Sequence, residues 1–177
     1  MSYDSRPDTW EHITLVRRYL DVVSRNLLRR SHLHDQSKLV PPELEAFDRM
    51  TPLLATLEYG TPEYKQSLAD LGPALEHHYA ANSHHPEHYE DGIRGMSLLD
   101  LLEMVCDWYA ASQRMRKPTP AAPGRQEAPQ YDNDFERSIA LNAERFGYGD
   151  ELRAILTNTA RELGFIPAGK LQGQAQP

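Results

Sequence analysis

The hydrophobic positions of the chain recur with helical spacing and predict an all-α fold. Near the start they step by three and four residues and form a stripe of Ile13, Val16, Leu20, Val23 and Leu27. This stripe predicts a helix over about 9–30, and Asp8 and Glu11 have the spacing of a capping box at its start. No segment alternates between apolar and polar residues as a strand would, so no sheet is expected.

The same periodicity, interrupted by prolines and glycines, predicts further helices. They cover about 42–58, 62–71, 73–85, 98–115, 132–146 and 150–164. Pro52 should kink the first of these and Pro86 should end the third, because proline cannot continue the hydrogen-bond ladder of a helix. Ser97 and Asp100 form a second capping box at the start of the helix over 98–115, the most apolar of the set.

These elements predict a single helical domain over residues 1–166. Residues 116–130 contain four prolines and few residues to bury, so a flexible loop is expected there. The helical pair over 132–164 could cover a partner or close over a site, and residues 167–177 should form a disordered tail. The sequence leaves the oligomeric state open, with a homo-oligomer as one possibility.

Charge and composition narrow the classes of function. The 177 residues carry a net charge of −7, so a basic face for nucleic acid is not expected. Cys106 is the single cysteine, which excludes a disulfide framework and a thiolate metal site. Residues 1–8 are polar, and no apolar run approaches the roughly 20 residues of a membrane span. A cytoplasmic protein with neither nucleic-acid nor membrane partners is expected.

The segment 76–88 concentrates the histidines of the chain. Five of the eight lie there, namely His77, His78, His84, His85 and His88. Histidine is the commonest metal ligand in proteins, so the cluster indicates a metal site. Helical spacing would place these residues on two neighbouring faces, His78–Asn82–His85 and His77–Ala81–His84–His88. The first face is favoured because each of its positions is polar, but the sequence leaves the choice open.

Other positions supply the carboxylates and histidines that such a site needs. They are His12 on the first helix, the doublet His34–Asp35 with Lys38 one turn later, and Asp107 deep in an apolar helix. Histidine and carboxylate ligands together suit Mn, Fe, Co, Ni or Zn, with Mg also possible. One ion activates a water, and a second clamps the oxygens of a phosphate ester. Lys38 can share the face of the doublet, where its ammonium would neutralise a phosphate oxygen.

Each piece also has a purely structural explanation. His12 could be a core histidine bound to backbone, the His34–Asp35 doublet a helix cap, and the histidine cluster a solvated face. A carboxylate on so apolar a helix must be paired or metal-bound, so an arginine pair is the alternative for Asp107. Glu103, four residues before Asp107, is a candidate to hydrogen-bond a ligand.

Three motifs resemble the HD-domain superfamily of metal-dependent phosphohydrolases. HDQSK at 34–38 is similar to its HDxGK core, HHPEHYEDG at 84–92 to the HHERxDG segment of the HD-GYP branch, and CDWYAA at 106–111 to that branch's ADxYDA segment. The similarity covers about 12–111, and the chain also looks like a short family of bacterial and phage HD-like proteins. The second Asp of ADxYDA is Ala110 here. Gly92–Ile93–Arg94–Gly95 stands where the branch has GYP, which argues against cyclic di-GMP as the substrate.

The resemblance implies an HD-like bundle of about six or seven helices with a metal site at its centre. It implies that one ion is bound by His12, His34, Asp35 and Asp107. A second would be bound from the histidine cluster, with His78 and His85 favoured and His77 and His84 as alternates. Lys38 would contact phosphate, and the further candidates to bind substrate are Asn82, His77 and His84.

The expected function is metal-dependent hydrolysis of a phosphate ester, with a nucleotide as the favoured substrate. A water activated by one or two divalent transition-metal ions would attack phosphorus, with Lys38 and Asp35 as catalytic residues. Two alternatives remain for the same ligand set. One is an HD-type di-iron oxygenase, and the other is a non-catalytic protein that binds a nucleotide or a partner.

Overall fold

The protein folds into α-helices, as the hydrophobic spacing predicts. The computed structural model describes residues 3–54, 56–57, 61–115 and 134–167, and this part of the chain contains seven α-helices and no strand. They are α1 (Arg6–Leu33), α2 (Glu43–Leu54), α3 (Pro62–Ala69), α4 (Gly72–Ala81), α5 (Leu98–Met115), α6 (Asp134–Phe146) and α7 (Asp150–Glu162). Among the described residues, no helix has the length and apolarity needed to span a membrane. The predicted loop over 116–130 and all but the first residue of the predicted tail lie outside the described residues.

Two hydrophobic cores fix the helices that carry the candidate ligands. The larger core holds α5 against α6 and α7 and consists of Ile93, Leu101, Met104, Val105, Phe135, Ile139, Tyr148, Leu156, Ala160 and Ile166. The smaller core holds α2 against α4 and consists of Ala46, Met50, Leu71 and Ala74. Because α5 buries one face in the larger core, its opposite face is free to present a row of acidic residues to α1.

That acidic row consists of Asp100, Glu103 and Asp107, which share a face because they are spaced by three and four residues. Asp100 also closes the predicted capping box of α5. The backbone N–H of Ser97 donates to Asp100 Oδ2 at 2.8 Å, and the backbone N–H of Asp100 donates to Ser97 Oγ at 3.2 Å. This second capping box is therefore confirmed.

The first capping box is wrong. Helix α1 begins at Arg6 after Ser5, so Asp8 lies inside the first turn, where it accepts a hydrogen bond from the Tyr3 hydroxyl. The helix also includes Arg6 and Pro7, which precede Asp8. Proline is tolerated so close to the start of a helix because the N–H that it lacks would have no partner within the helix.

Helix α1 extends beyond the rest of the described structure. It contains 28 residues, none of them buried, and only its C-terminal end packs against α5. The predicted stripe is helical, but its central residues face solvent: Leu20 is 58% exposed. His12, which the stripe was expected to carry towards a buried side, is exposed as well.

Helix α4 ends earlier than the sequence predicts, and this changes the geometry of the histidine cluster. The helix stops at Ala81, and Asn82 has an extended backbone with φ −123° and ψ 101°. The Asn82 amide donates to the carbonyl oxygen of His78 at 2.8 Å, which caps the helix end. His84 and His85 therefore lie on a turn, and the two predicted helical faces do not exist beyond Ala81.

Candidate metal centre

Three segments bring histidine and carboxylate ligands to one place. The first is the end of α1 with the doublet that follows it, the second is the end of α4 with its turn, and the third is the acidic row of α5. Donor atoms within 4.8 Å of one another form three groups. They are Asp35, His78, His84 and His85 (cluster A), then His34, Asp35 and Asp107 (cluster B), and finally His34, His84 and Glu103. Asp35 belongs to both clusters, so its carboxylate lies between them.

A left-handed turn directs the His34–Asp35 doublet into the centre. His34 caps α1, and Asp35 follows with φ 56° and ψ 15°. This conformation is uncommon for a residue other than glycine, and Asp is one of the few types that adopt it readily. The turn allows two neighbouring side chains to point at the same space, where His34 Nε2 lies 3.6 Å from Asp35 Oδ2.

The histidine turn presents its rings to the same carboxylate from the other side. The Nε2 atoms of His78 and His84 lie 3.5 and 3.6 Å from Asp35 Oδ1. His85 adds a third ring, with its Nε2 2.9 Å from that of His78. Two imidazole nitrogens therefore approach one carboxylate oxygen, and the His85 ring offers a third nitrogen within 4.8 Å of the other donors of cluster A.

Two atoms at the centre of cluster A are buried without any hydrogen-bond partner. They are Asp35 Oδ1 and His84 Nε2. Leaving a buried polar group unpaired costs about 1–3 kcal/mol, and more for a charged group. An ion at this point would satisfy both atoms, and the donor set of one carboxylate and three imidazoles suits a divalent transition metal.

Two glutamates, the half-buried Glu103 and the buried Glu43, orient the rings from behind. His34 and His84 each donate from Nδ1 to Glu103, at 2.8 and 3.2 Å to Oε1. His78 donates from Nδ1 to Oε2 of Glu43 at 2.9 Å, and Glu43 is fully buried. When Nδ1 carries the proton, the lone pair of Nε2 is free, and this carboxylate–histidine arrangement is the usual support of a metal-binding histidine.

The carboxylates of the site are ionised at neutral pH. Burial raises the pKa of Glu103, but its hydrogen bonds with His34 and His84 outweigh burial and hold this pKa well below its ordinary value. Burial also raises the pKa of Asp107, but its hydrogen bond with His34 and the charges of the His84, His85 and His34 rings together outweigh burial and lower this pKa. For Asp35, the opposing effect of burial is overcome by Lys38, so its pKa is also lowered.

Two rings of cluster A, those of His78 and His85, favour the neutral form that a metal ligand requires. Burial lowers the pKa of His78. Burial, together with the neighbouring His84 and His78 rings, lowers the pKa of His85 to about 3. His34 differs, since the Asp107 carboxylate, followed by the hydrogen bond to Glu103, raises its pKa to about 10.

The centre has an excess of negative charge. Its carboxylates are Asp35, Glu43, Asp100, Glu103 and Asp107. Among the described residues, the permanent cations that form ion pairs with them are Arg30, which binds Asp100 and Glu103, and Lys38, which binds Asp35. Buried carboxylates that outnumber their cations are costly, so bound cations would stabilise the folded state.

The structure brings together six of the predicted ligands, including the alternate His84, and leaves His12 and the alternate His77 outside both clusters. His34, Asp35, His78, His84, His85 and Asp107 all belong to cluster A or cluster B. His12 does not, because it precedes His34 by 22 residues on one continuous helix, a distance of about 33 Å at 1.5 Å per residue. His12 and His34 therefore cannot bind the same ion within one chain.

The remaining candidates lie around the ligands. Lys38 Nζ is 2.6 Å from Asp35 Oδ2 and 5.2 Å from the centre of the Phe47 ring, at the exposed side of the site. His77 is exposed and donates from Nδ1 to Glu43 at 2.7 Å. Asn82 is buried and donates to Ser37 Oγ at 2.8 Å, so its amide links two segments that carry ligands.

Two supporting residues, Glu43 and Arg30, were not predicted from the sequence. Glu43 lies in the first turn of a helix, where an acidic residue is common for electrostatic reasons alone. Arg30 precedes His34 by four residues on a helix rich in arginine. Nothing in the sequence around either residue distinguishes it from an ordinary surface residue. By contrast, Glu103 was identified from the sequence by its spacing to Asp107.

Replacement of Glu43 by Gln is expected to weaken metal binding by about 10–100-fold, the usual cost of losing a carboxylate behind a ligand histidine. Glutamine removes the charge that holds the His78 proton on Nδ1 and keeps the shape of the side chain. Titration calorimetry with Mn²⁺, together with the visible spectrum of the Co²⁺ form, measures the effect. Glu45→Gln, an exposed position on the same helix, is the matched control. Equal affinities of the two variants would contradict a role for Glu43 in holding His78.

Similarity to known proteins assigns the chain no activity. A family profile described as "Family of unknown function (DUF5662)" matches residues 1–162. No curated protein and no solved structure matches the chain. The function therefore has to be inferred from the site.

Proposed function

The chain belongs to the family of unknown function DUF5662, and we propose that it is a metal-dependent phosphohydrolase that acts on a phosphate ester, with a nucleotide as the favoured substrate. One observation carries the metal requirement. Asp35 Oδ1 and His84 Nε2 are buried, have no partner, and lie among converging ring nitrogens. A site with only a structural role would pair these atoms with protein groups.

The shared carboxylate supports a centre with two ions. Asp35 offers Oδ1 to the rings of cluster A and Oδ2 towards His34 of cluster B. A carboxylate placed between the two clusters would help to hold two ions, which commonly lie about 3.5–4 Å apart in enzymes that hydrolyse phosphate esters. Such ions supply a water of lowered pKa and draw charge from the phosphate oxygens.

The protein's own groups suit an anionic substrate at the open side of the centre. Lys38 is about one-third exposed, and its ammonium is already directed to the site by Asp35. There it would neutralise charge on a phosphate oxygen. Asp107 and His34 are also partly exposed, and Asp107 Oδ1 lies 3.7 Å from His34 Nε2. The resemblance of HDQSK at 34–38 to the HD-domain core agrees with these roles.

Release of phosphate from nucleotides tests the proposal. Untagged protein is stripped with a chelator and reloaded in turn with Mn²⁺, Co²⁺, Mg²⁺, Fe²⁺ or Zn²⁺. It is then incubated with nucleoside mono-, di- and triphosphates, and phosphate and nucleosides are measured. We expect turnover with at least one metal, its loss in Asp107→Asn, and reduced turnover in Lys38→Ala. His12→Ala should retain full activity because His12 is far from the centre.

Two outcomes would overturn the proposal. Iron-dependent consumption of O₂ with an organic substrate, without phosphate release from any nucleotide, would identify a di-iron oxygenase. Tight, metal-dependent binding of a nucleotide without product after prolonged incubation would identify a non-catalytic binding protein.

A further inference from the structure

Arg145, in the last turn of α6, contacts the segment that follows the histidine turn. Its Nη2 lies 2.8 Å from Glu87 Oε1, and Glu87 follows the candidate ligand His85 by two residues. The guanidinium carbon lies 4.6 Å from the centre of the Phe146 ring, so a cation–π contact helps to hold the group in place. The side chain is still 48% exposed. Arg145 is therefore a positioned cation that a dissolved anion can reach.

The Tyr79 ring connects Arg145 with cluster A. Its centre lies 5.1 Å from that of the His85 ring. Burial and the Glu87 charge raise the pKa of Tyr79, whereas the Arg145 charge lowers it. An effect of this kind requires a short distance between the guanidinium and the Tyr79 hydroxyl, because the interaction between charges weakens with distance. Arg145 is thus joined to the neighbourhood of His85 through both Glu87 and Tyr79.

Aromatic stacking connects Arg145 with cluster B. Phe146, over which the guanidinium lies, stacks on Trp108 with ring centres 6.0 Å apart and 5° between the ring planes. Trp108 directly follows the candidate ligand Asp107 on α5. The His85 ring in turn acts on the pKa of Asp107, so these two ligands are neighbours. Arg145 therefore lies towards the edge of the centre that carries them.

Lys38 lies at a different edge of the same centre. Its Nζ is 2.6 Å from Asp35 Oδ2, and the contacts of Arg145 lead instead to His85 and Asp107. The ligands are thus flanked by two separate cations. An anion with two linked phosphate groups would place one group on the ions beside Lys38 and offer the other to Arg145.

The ion pair with Glu87 leaves Arg145 available to such an anion. The two side chains are 48% and 29% exposed, and an exposed ion pair contributes little to stability. A phosphate group presents two oxygens to the planar fork of arginine and carries more charge than a carboxylate. Phosphate would therefore replace Glu87 at little cost.

We propose that Arg145 binds a second phosphate of the substrate while the first lies at the ions, so that nucleoside di- and triphosphates are preferred to monophosphates. This inference rests on the proposed function for the position of the first phosphate. It assigns a specificity-determining residue to α6, outside the stretch of about 12–111 that resembles the HD-domain superfamily. If Arg145 served only to fasten α6 to the histidine turn, its loss would affect all anions alike.

Binding of two phosphonates to the Mn²⁺-loaded protein tests the inference without turnover, because their P–C bonds are not hydrolysed. Calorimetry compares methylphosphonate, which has one phosphonate group, with methylenediphosphonate, which has two. The wild type should bind the diphosphonate at least about 10-fold more tightly, the usual worth of hydrogen bonds to a charged group. Arg145→Gln should lose most of this preference.

Two further variants separate recognition from folding. Arg137→Gln, at an exposed position on the same helix, is the matched control and should keep the preference, with the same chelation of Mn²⁺ in solution. Glu87→Gln should strengthen binding of the diphosphonate, because the carboxylate no longer competes for Arg145, and a misfolded variant would not gain affinity. The inference is overturned by a wild type without the preference, by an unchanged preference in Arg145→Gln, or by an equal loss for both anions.

The nucleotide screen distinguishes failure of this inference from failure of the proposed function. Where nucleotides are turned over, Arg145→Gln should raise the KM for nucleoside di- and triphosphates about 10-fold relative to the KM for monophosphates. A uniform rise in KM would contradict the role of Arg145. Where no nucleotide is turned over with any metal, the proposed function fails, and phosphonate binding that depends on Arg145 would still establish the second anion site.

Discussion

Replacement of Asp35 by Asn is expected to abolish ion binding in both clusters. Asp35 Oδ1 faces the rings of cluster A, and Oδ2 faces His34 of cluster B, so one substitution removes a charged ligand from each. Asn tolerates the left-handed backbone found at this position, with φ 56°, so the turn should be retained. The loss should exceed the 10–100-fold typical of a residue that only supports a ligand.

Elemental analysis and titration calorimetry with Mn²⁺ or Zn²⁺ measure this effect. Asp48→Asn, at an exposed position on α2, is the matched control and should bind metal as the wild type does. Asp107→Asn should impair cluster B alone, so a comparison of its stoichiometry with that of Asp35→Asn separates the two sites. Stoichiometric, tight metal binding by Asp35→Asn would rule out the shared carboxylate as a ligand.

Removal of divalent ions is expected to lower the melting temperature by roughly 5–10 °C. An ion that binds only the folded state at about 100 times its Kd adds about 2.7 kcal/mol, and each kcal/mol shifts the melting temperature of a chain of this size by about 2–4 °C. The physical cause is the excess of carboxylates over cations at the centre, which destabilises the metal-free protein.

Differential scanning calorimetry of chelator-treated protein, with and without added Mn²⁺, measures the shift. His88→Ala is a suitable control because His88 is exposed and donates only to the Tyr79 carbonyl, at 2.8 Å. It should retain the full shift, whereas the shift should disappear in Asp35→Asn. A shift of the same size in both variants would mean that the stabilising ion binds elsewhere.

The residue types of the centre follow from the sequence, but their arrangement does not. The motifs at 34–38 and 106–111 and the histidine cluster identified six candidate ligands that the structure brings together. His12 was also predicted, and it fails because the stripe that carries it belongs to a helix continuous with His34. Sequence spacing alone does not reveal that no turn separates the two residues.

The histidine cluster illustrates the same limit. A regular helix through His85 would have divided the histidines between two faces, and the choice between those faces could not be made. Helix α4 ends at Ala81, so His78 comes from the helix and His84 and His85 come from the turn, and all three reach Asp35. The end is fixed by the Asn82 amide, which bonds both His78 and Ser37, and Ser37 lies 45 residues away in the chain.

The sequence by itself therefore determined the helical class, the approximate bounds of the helices and most of the candidate ligands, because these depend on the spacing of neighbouring residues. The tertiary structure alone decided where α4 ends, that His12 lies far from the centre, and that Glu43 and Arg30 support it. Those features depend on contacts between distant segments and on what covers each face. The five-histidine segment that stood out in the sequence is thus one side of a site whose other sides, the doublet at 34–35 and the acidic row of α5, come from elsewhere in the chain.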